Sequence, residues 1–266
     1  MKKISLSIML LFVISILVAC GAGDEQTSKE TNTKNTEDTK VLVMGTSADY
    51  PPFEYVDTAK GEEIIGFDVD VAKAIGEKLG YEIKIENIDF NSLIPGIEAG
   101  KFDFVIAGMS PTPEREKVVD FTIPYYETQQ VVLTLKDKGI ESIEDLKGKK
   151  VGAQVSSIQL DLANEVAKEI EGMTVESRDA VPQAIQELVN GRFDGVFIED
   201  IVAENYIATN DNFMAFPASS GSNENKAIVL PKGSELKEEF NQAIEELTEE
   251  GTLDELKEKW FVVITE

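Results

Sequence analysis

Gly100-Lys-Phe-Asp-Phe-Val105 and Gly191-Arg-Phe-Asp-Gly-Val196 are one motif, G-[KR]-F-D-x-V, written twice. The two copies stand at an offset of 91 residues (191 minus 100), and the segments in front keep that offset. Ile94 answers to Ile185 and Ile97 to Leu188, the apolar positions of a short helix in each copy. Each motif then runs into an apolar strand, Phe102–Ala107 in the first copy and Phe193–Ile198 in the second.

Working outward from the motif gives the same plan on both sides. In the first copy, Val41–Gly45 is a buried strand. Gly66–Gly80 takes helical spacing from Val71 onward, and Gly80 is a good stop. Tyr81–Ile85 alternates as a half-exposed strand does, and Asn91–Ala99 is the short helix before the motif. In the second copy, Lys150–Ala153 is a strand, Ser157–Ile170 an amphipathic helix, Thr174–Ser177 a strand and Val181–Asn190 a helix. Alternating strands and helices imply α/β lobes built on parallel sheets with right-handed crossovers. Two copies imply two lobes.

Ligands of such sheets sit beyond the carboxyl ends of the strands. Four loops therefore face a cleft: Thr46–Phe53, Gly108–Arg115, Gln154–Gln159 and Glu199–Ile201. The stretches Pro124–Leu133 and Phe216–Leu230 read as extended crossings between the lobes. The amphipathic helices Ser234–Glu250 and Thr252–Trp260 return the chain to the first lobe. This places lobe 1 at 41–126 plus 223–266 and lobe 2 at 127–222, with the crossings as hinges.

Composition removes several function classes. The 266 residues include no His and one Cys. Imidazole metal sites, His proton shuttles, Ser-His or Cys-His catalysis, disulfides and Cys-rich metal cages are thereby excluded. With 25 basic against 50 acidic residues, the formal charge of −25 argues against a nucleic-acid partner. At 42% hydrophobic residues the chain can still build a core. No catalytic residue, metal or cofactor is expected.

The first residues read as an address. Lys2 and Lys3 precede an apolar run from Ile4 to Val18, shorter than the roughly 20 residues of a spanning helix. The run ends at Leu17-Val18-Ala19-Cys20, where the sole cysteine stands. This pattern resembles a bacterial lipobox, which makes 1–19 a lipoprotein signal and Cys20 the lipidated residue. Gly21–Lys40 lacks aromatics and is rich in Thr, Asn, Lys, Glu and Asp, so 20–40 reads as a flexible tether.

Several segments together resemble the bacterial extracellular solute-binding proteins of the polar amino-acid class, receptors of ABC importers. They are Gly66-Phe-Asp-Val-Asp-Val71, Gly45-Thr-Ser-Ala-Asp-Tyr-Pro-Pro-Phe53, Asp89-Phe-Asn-Ser-Leu93, Leu146-Lys-Gly-Lys-Lys-Val-Gly152, Gly251-Thr-Leu253 and Lys259-Trp-Phe261. The wording is most similar to lipoproteins of Gram-positive bacteria described as arginine-binding. The resemblance runs from Val41 to the C-terminus. It implies a two-lobed periplasmic-binding-protein-like fold and a monomer anchored by lipid outside the membrane. Such a receptor captures a free L-amino acid, leaves it unaltered and hands it to a membrane permease.

The same resemblance implies roles for the cleft residues. Arg115 clamps the ligand carboxylate with its planar fork of donors. Asp200 meets the ammonium; Ser110 accepts from the ammonium or donates to the carboxylate, and Gly108 contributes backbone. The helix start at Ser156–Gln159 offers N–H groups to the carboxylate. The family usually has Ser or Thr where this chain has Ile158, so only the Ile158 backbone can serve there. Tyr50 and Phe90 are the aromatic pair around the ligand side chain, and Gln159 suits an amide or guanidinium. Ser47 stands where binders of basic amino acids often carry an acid. That leaves Glu199, Glu54, Glu127 or Asp49 to meet a cationic side chain, with no choice among them. Arginine is the first candidate, ahead of lysine, histidine and glutamine. A receptor for a neutral polar amino acid such as glutamine, or a dehydratase-like enzyme on the same scaffold, is the rival reading.

Overall fold

The computed structural model describes residues 40–218 and 223–261. The signal, Cys20 and the tether up to residue 39 lie outside the described residues.

The first lobe opens with β1 (Lys40–Thr46) and a small antiparallel sheet of β2 (Asp49–Tyr50), β3 (Glu54–Asp57) and β4 (Glu63–Ile65). It continues through α1 (Phe67–Leu79), β5 (Tyr81–Asn87), α2 (Leu93–Glu98), β6 (Phe104–Val105) and β7 (Val119–Phe121). The chain crosses on β8 (Tyr126–Thr128) into β9 (Gln130–Leu135). The second lobe follows with β10 (Lys150–Gln154), α3 (Ile158–Glu169), β11 (Thr174–Arg178), α4 (Val181–Val189), β12 (Gly195–Glu199), α5 (Asp200–Thr209) and β13 (Phe213–Pro217). It returns on β14 (Glu224–Lys226) to β15 (Val229–Pro231), α6 (Leu236–Glu249) and α7 (Thr252–Trp260).

The strand orders are β5-β1-β6-β15-β7 in one lobe and β11-β10-β12-β9-β13 in the other. These are the same arrangement. In each lobe the three strands of the repeat pair in parallel; one further strand, β15 or β9, runs against them, and the edge strand, β7 or β13, pairs antiparallel with that one and so runs with the repeat again. The sheets are therefore mixed, not parallel throughout as the alternation of elements implied. The cause is the crossing: β9 and β15 each enter their sheet straight from the other lobe, with no helix to reverse them. The crossings themselves, β8 and β14, pair antiparallel with each other, Lys226 opposite Tyr126.

The repeated motif has a structural reason at each letter. Gly100 (φ 70°) and Gly191 (φ 73°) end their helices in the left-handed region, where a side chain is strained. The aromatic ring that follows lies over a glycine of the lobe's first strand. A Cβ on Gly45 would stand 2.8 Å from the Phe102 ring, and one on Gly152 would stand 2.3 Å from the Phe193 ring. The aspartate then closes the turn onto that same strand. Asp103 Oδ2 accepts from the Val43 N–H at 2.7 Å, and Asp194 Oδ2 accepts from the Lys150 N–H at 3.0 Å. One small constellation of glycine, ring and carboxylate thus locks the third strand of each repeat to the first. The returning helices α6 and α7 pack on α1, which ties the C-terminal segment to the first lobe.

Candidate functional site

The carboxyl ends of β1, β6, β10 and β12 meet in one cleft. From β1, Ser47 is buried and Tyr50 stacks on Phe53 at 6.0 Å between centroids. Phe90 opens the turn before α2. Beyond β6, Gly108 sits at φ 53° and its N–H donates to Asp68 Oδ2 at 2.6 Å. Tyr125 donates its phenolic O–H to the same carboxylate at 2.9 Å.

Arg115 spans the two lobes. Nη1 donates to the Ser110 carbonyl at 2.7 Å and Nη2 donates across the cleft to the Ser156 carbonyl at 2.9 Å. Its guanidinium carbon lies 5.7 Å from the Phe90 ring centroid. Burial lowers its pKa to about 10, with Asp161 opposing, so the group remains charged at neutral pH. A guanidinium has five N–H donors, and two are engaged here.

On the second lobe Ser157 is the N-cap of α3, its Oγ accepting from the Leu160 N–H at 3.1 Å. Ile158 is the first helical residue. Gln159 Nε2 donates to Glu199 Oε1 at 2.6 Å. Asp200 begins α5; its N–H donates to the Gln129 carbonyl on the crossing at 2.9 Å, and its Oδ1 accepts from the Ile201 N–H at 2.8 Å.

Two hollows follow from this arrangement. An open groove of about 400 Å³ is lined by Phe90, Arg115, Ser156, Ile158 and Asp161 among others. Beside it lies a smaller cavity of about 20 Å³ lined by Ser47, Asp49, Tyr50, Glu54, Phe90, Gly108, Gln154, Gln159 and Glu199. Phe90 belongs to both, and Arg115 to the groove alone. The structure thus brings together Ser47, Tyr50, Phe90, Gly108, Arg115, Ile158 and Gln159 along the two hollows. Ser110 is buried and holds Arg115 by its carbonyl. Asp200 lines neither hollow.

Of the four acids left open for a cationic side chain, three line the inner cavity: Asp49, Glu54 and Glu199. Glu127 does not; it is exposed and accepts from Asn223 Nδ2 at 2.9 Å on the crossing pair. Glu54 is 1% exposed, and neither of its oxygens meets a donor. Its polar company is the Asp68 carboxyl, with which it can bond only by carrying a proton. Burial first, then repulsion by Asp68 and Asp49, holds Glu54 well above the usual carboxylate range. Burial likewise raises Asp68 to about 6, against the bonds from Gly108 and Tyr125. Asp49 is raised to about 6 by burial and by Asp89. Among the described residues no group of three or more His, Cys, Asp or Glu is placed to hold a metal ion.

Sequence reasoning passed over two residues here. Asp68 sits in the quoted Gly66–Val71 segment, yet its role as the anchor of Gly108 depends on a contact 40 residues away. Lys226 is fully buried at 0% exposure, its Nζ donating to Glu199 Oε1 at 2.5 Å and Ser110 Oγ at 3.0 Å. The available signal was a lysine abutting the apolar run Ala227–Leu230 inside a crossing.

Comparison with known proteins gives the family. Residues 42–263 match the family model described as bacterial extracellular solute-binding proteins, family 3. The arginine-binding extracellular protein ArtP of Bacillus subtilis (strain 168) is 43% identical over 263 residues, covering 98% of each chain. An ancestral arginine-binding protein solved with arginine superposes with a TM-score of 0.78 at 41% identity, covering 84% of this chain and 98% of that one. An ancestral arginine-binding protein solved with glutamine gives a TM-score of 0.75 at 40% identity, over 83% and 97% of the two chains.

Proposed function

From the premise that this chain belongs to the family 3 bacterial extracellular solute-binding proteins, we propose that it is the receptor of an ABC importer for an amino acid with a cationic side chain. Arginine is the first candidate. The observation that carries this reading is Glu54, a buried carboxyl with no donor on either oxygen, set among Tyr50, Phe90, Asp49 and Gln159. A guanidinium supplies what that pocket lacks: planar donors for the acid and a flat cationic face for the rings. ArtP, and the ancestral protein solved with arginine, support the same choice. An amide pocket built on Gln159 is a weaker alternative, because its Nε2 is already engaged by Glu199.

In this reading Arg115 turns two of its donors onto the ligand carboxylate, assisted by the Ile158 N–H at the start of α3. Asp200, with Ser110 and the Gly108 backbone, takes the ammonium. Tyr50 and Phe90 enclose the side chain, and Glu54 with Asp49 ends the pocket. Room for a whole amino acid requires the lobes, 41–126 plus 223–266 and 127–222, to part at the β8–β14 pair, a hinge closure around the ligand. The receptor acts as a monomer outside the cell, held by lipid at Cys20, releases its ligand unaltered to a permease, and performs no catalysis. No helix of the described residues is long and apolar enough to cross a membrane.

Calorimetric titration of the protein with each standard amino acid tests this. Arginine binding that is lost in Arg115→Ala is the expected result. If no amino acid binds, the receptor reading fails; if Arg115→Ala binds as the parent does, the clamp is misassigned.

A further inference from the structure

A lysine withdrawn from water holds its charge only where acids compensate it. Lys226 lies on the crossing strand β14 and meets both lobes' site loops: Ser110 from the first and Glu199 from the second. Its charge also faces Glu54 and Asp68. Asp49 stands beyond Glu54, Asp200 acts on Glu199, and the Tyr125 phenol is bonded to Asp68. No element of this cluster was needed to bind the ligand's carboxylate.

The pocket is lined by three acids, Asp49, Glu54 and Glu199, with Asp68 and one base, Lys226, buried beside them. Lys226 and Glu199 cancel through their ion pair. The ammonium thus removes one negative charge from a wall otherwise made of acids.

We propose that Lys226 is a specificity-determining residue of this cleft: by neutralising Glu199 it removes one negative charge from the wall of acids that faces a cationic side chain. The inference rests on the amino-acid receptor reading above. It concerns how strongly the pocket separates a cationic side chain from a neutral one of the same shape. Citrulline is the matched probe for arginine, with a neutral urea group in place of the guanidinium.

Removing the ammonium uncovers Glu199. Either Glu199 stays ionised and raises the preference for the cation, or it takes up a proton that the arriving cation expels. Neutralising Glu199 instead leaves the lysine uncompensated and moves the preference the other way. Each change is on the order of tenfold in the arginine-to-citrulline affinity ratio, the effect of one unit charge about 10 Å away at an effective dielectric of about 20.

The test is calorimetry of the full chain with arginine and citrulline, in buffers of different ionisation heat so that protons are counted. Lys226→Met should raise the ratio about tenfold, or release about one more proton per arginine bound than the parent. Glu199→Gln should lower the ratio about tenfold. Lys226→Arg, which keeps the charge, should stay within about threefold of the parent, and Lys226→Met combined with Glu199→Gln should return toward it. A purely structural lysine would weaken both ligands alike. Unchanged ratios and proton counts in Lys226→Met and Glu199→Gln, with arginine still bound by the parent, overturn the proposal and leave the receptor reading standing. A parent protein that binds neither arginine nor another amino acid overturns the receptor reading instead. Should Lys226→Met fail to fold, Glu199→Gln and the double variant decide the question, since the double variant buries no unpaired charge.

Discussion

Replacing Glu54 by glutamine should divide affinity from stability, and the two should move in opposite directions. The substitution keeps the shape of the side chain and removes its charge. Glu54 is buried, meets no donor, and is held well above the usual carboxylate range by desolvation and then by Asp68 and Asp49. In the absence of ligand its ionised form is therefore a burden on the fold, and the Glu54→Gln variant should melt no lower than the parent at neutral pH. Arginine, however, loses the charge that its guanidinium meets. Truncating one partner of a buried charged pair costs about 2–5 kcal/mol. Part of that is offset, because the parent must first give up the proton held between Glu54 and Asp68, and because the amide carbonyl still accepts one bond. A loss of about 2 kcal/mol remains, roughly 30-fold in affinity at 1.36 kcal/mol per tenfold. Citrulline, with no charge to match, should change by less than about threefold.

The pH dependence fixes the sign. A carboxyl that must ionise to hold a cation binds it better as pH rises, by at most one tenfold step per pH unit while it is protonated in the free protein. Arginine affinity should therefore climb from pH 5 upward in the parent, and the Glu54→Gln variant should keep only the part of that slope that Asp49 and Asp68, both raised to about 6, supply. Titration calorimetry with arginine and citrulline across pH 5–8.5, together with thermal melts, reads all of this. Equal losses for arginine and citrulline would reduce Glu54 to a packing residue, and undiminished arginine binding would remove it from the site.

Three further outcomes follow from the fold. Phe193→Ala should cost about 3–5 kcal/mol and Gly152→Ala about 1–3 kcal/mol by overpacking, since a Cβ there would stand 2.3 Å from the Phe193 ring; urea titration of the double variant should show much less than the sum. Asp194→Ala removes the acceptor of the Lys150 N–H and should cost about 1–3 kcal/mol, read as a shift of the urea midpoint. Asp49 has its pKa raised from 3.8 to about 6 in the folded chain, so its contribution to stability is full below pH 4 and is lost as pH rises to 6. That is at most about 3 kcal/mol by linkage, and Asp49→Asn should flatten the stability profile over that window.

What could be read from the chain before its fold was known divides along a physical line. The repeat was legible because each letter of G-[KR]-F-D-x-V answers to a local demand that the other lobe makes again. Gly100 and Gly191 stop a helix, Phe102 and Phe193 cover a glycine, and Asp103 and Asp194 close onto the first strand. Two copies of one demand leave two copies of one motif. The direction of β9 and β15 left no such mark, because a strand's residues encode which face is buried and not which way its neighbour runs. Sequence also pointed to loops that the fold brings to one cleft, since Ser47, Tyr50, Phe90, Gly108, Arg115 and Gln159 all line its two hollows. It could not choose among Asp49, Glu54, Glu127 and Glu199, because that choice is one of burial and company. Glu127 and Glu54 are the same residue type, yet one is exposed on a crossing strand and the other is buried with no donor. Lys226 was hidden for the same reason. In a chain of net charge −25 a single lysine reads as one more surface cation. Only the meeting of β14 with β12 and the Ser110 loop gives it a charge to cancel. On the proposed reading, the selectivity of this cleft depends on contacts between the lobes. A substitution at Lys226, far along the chain from every loop named as binding, tests it more sharply than one at any of those loops.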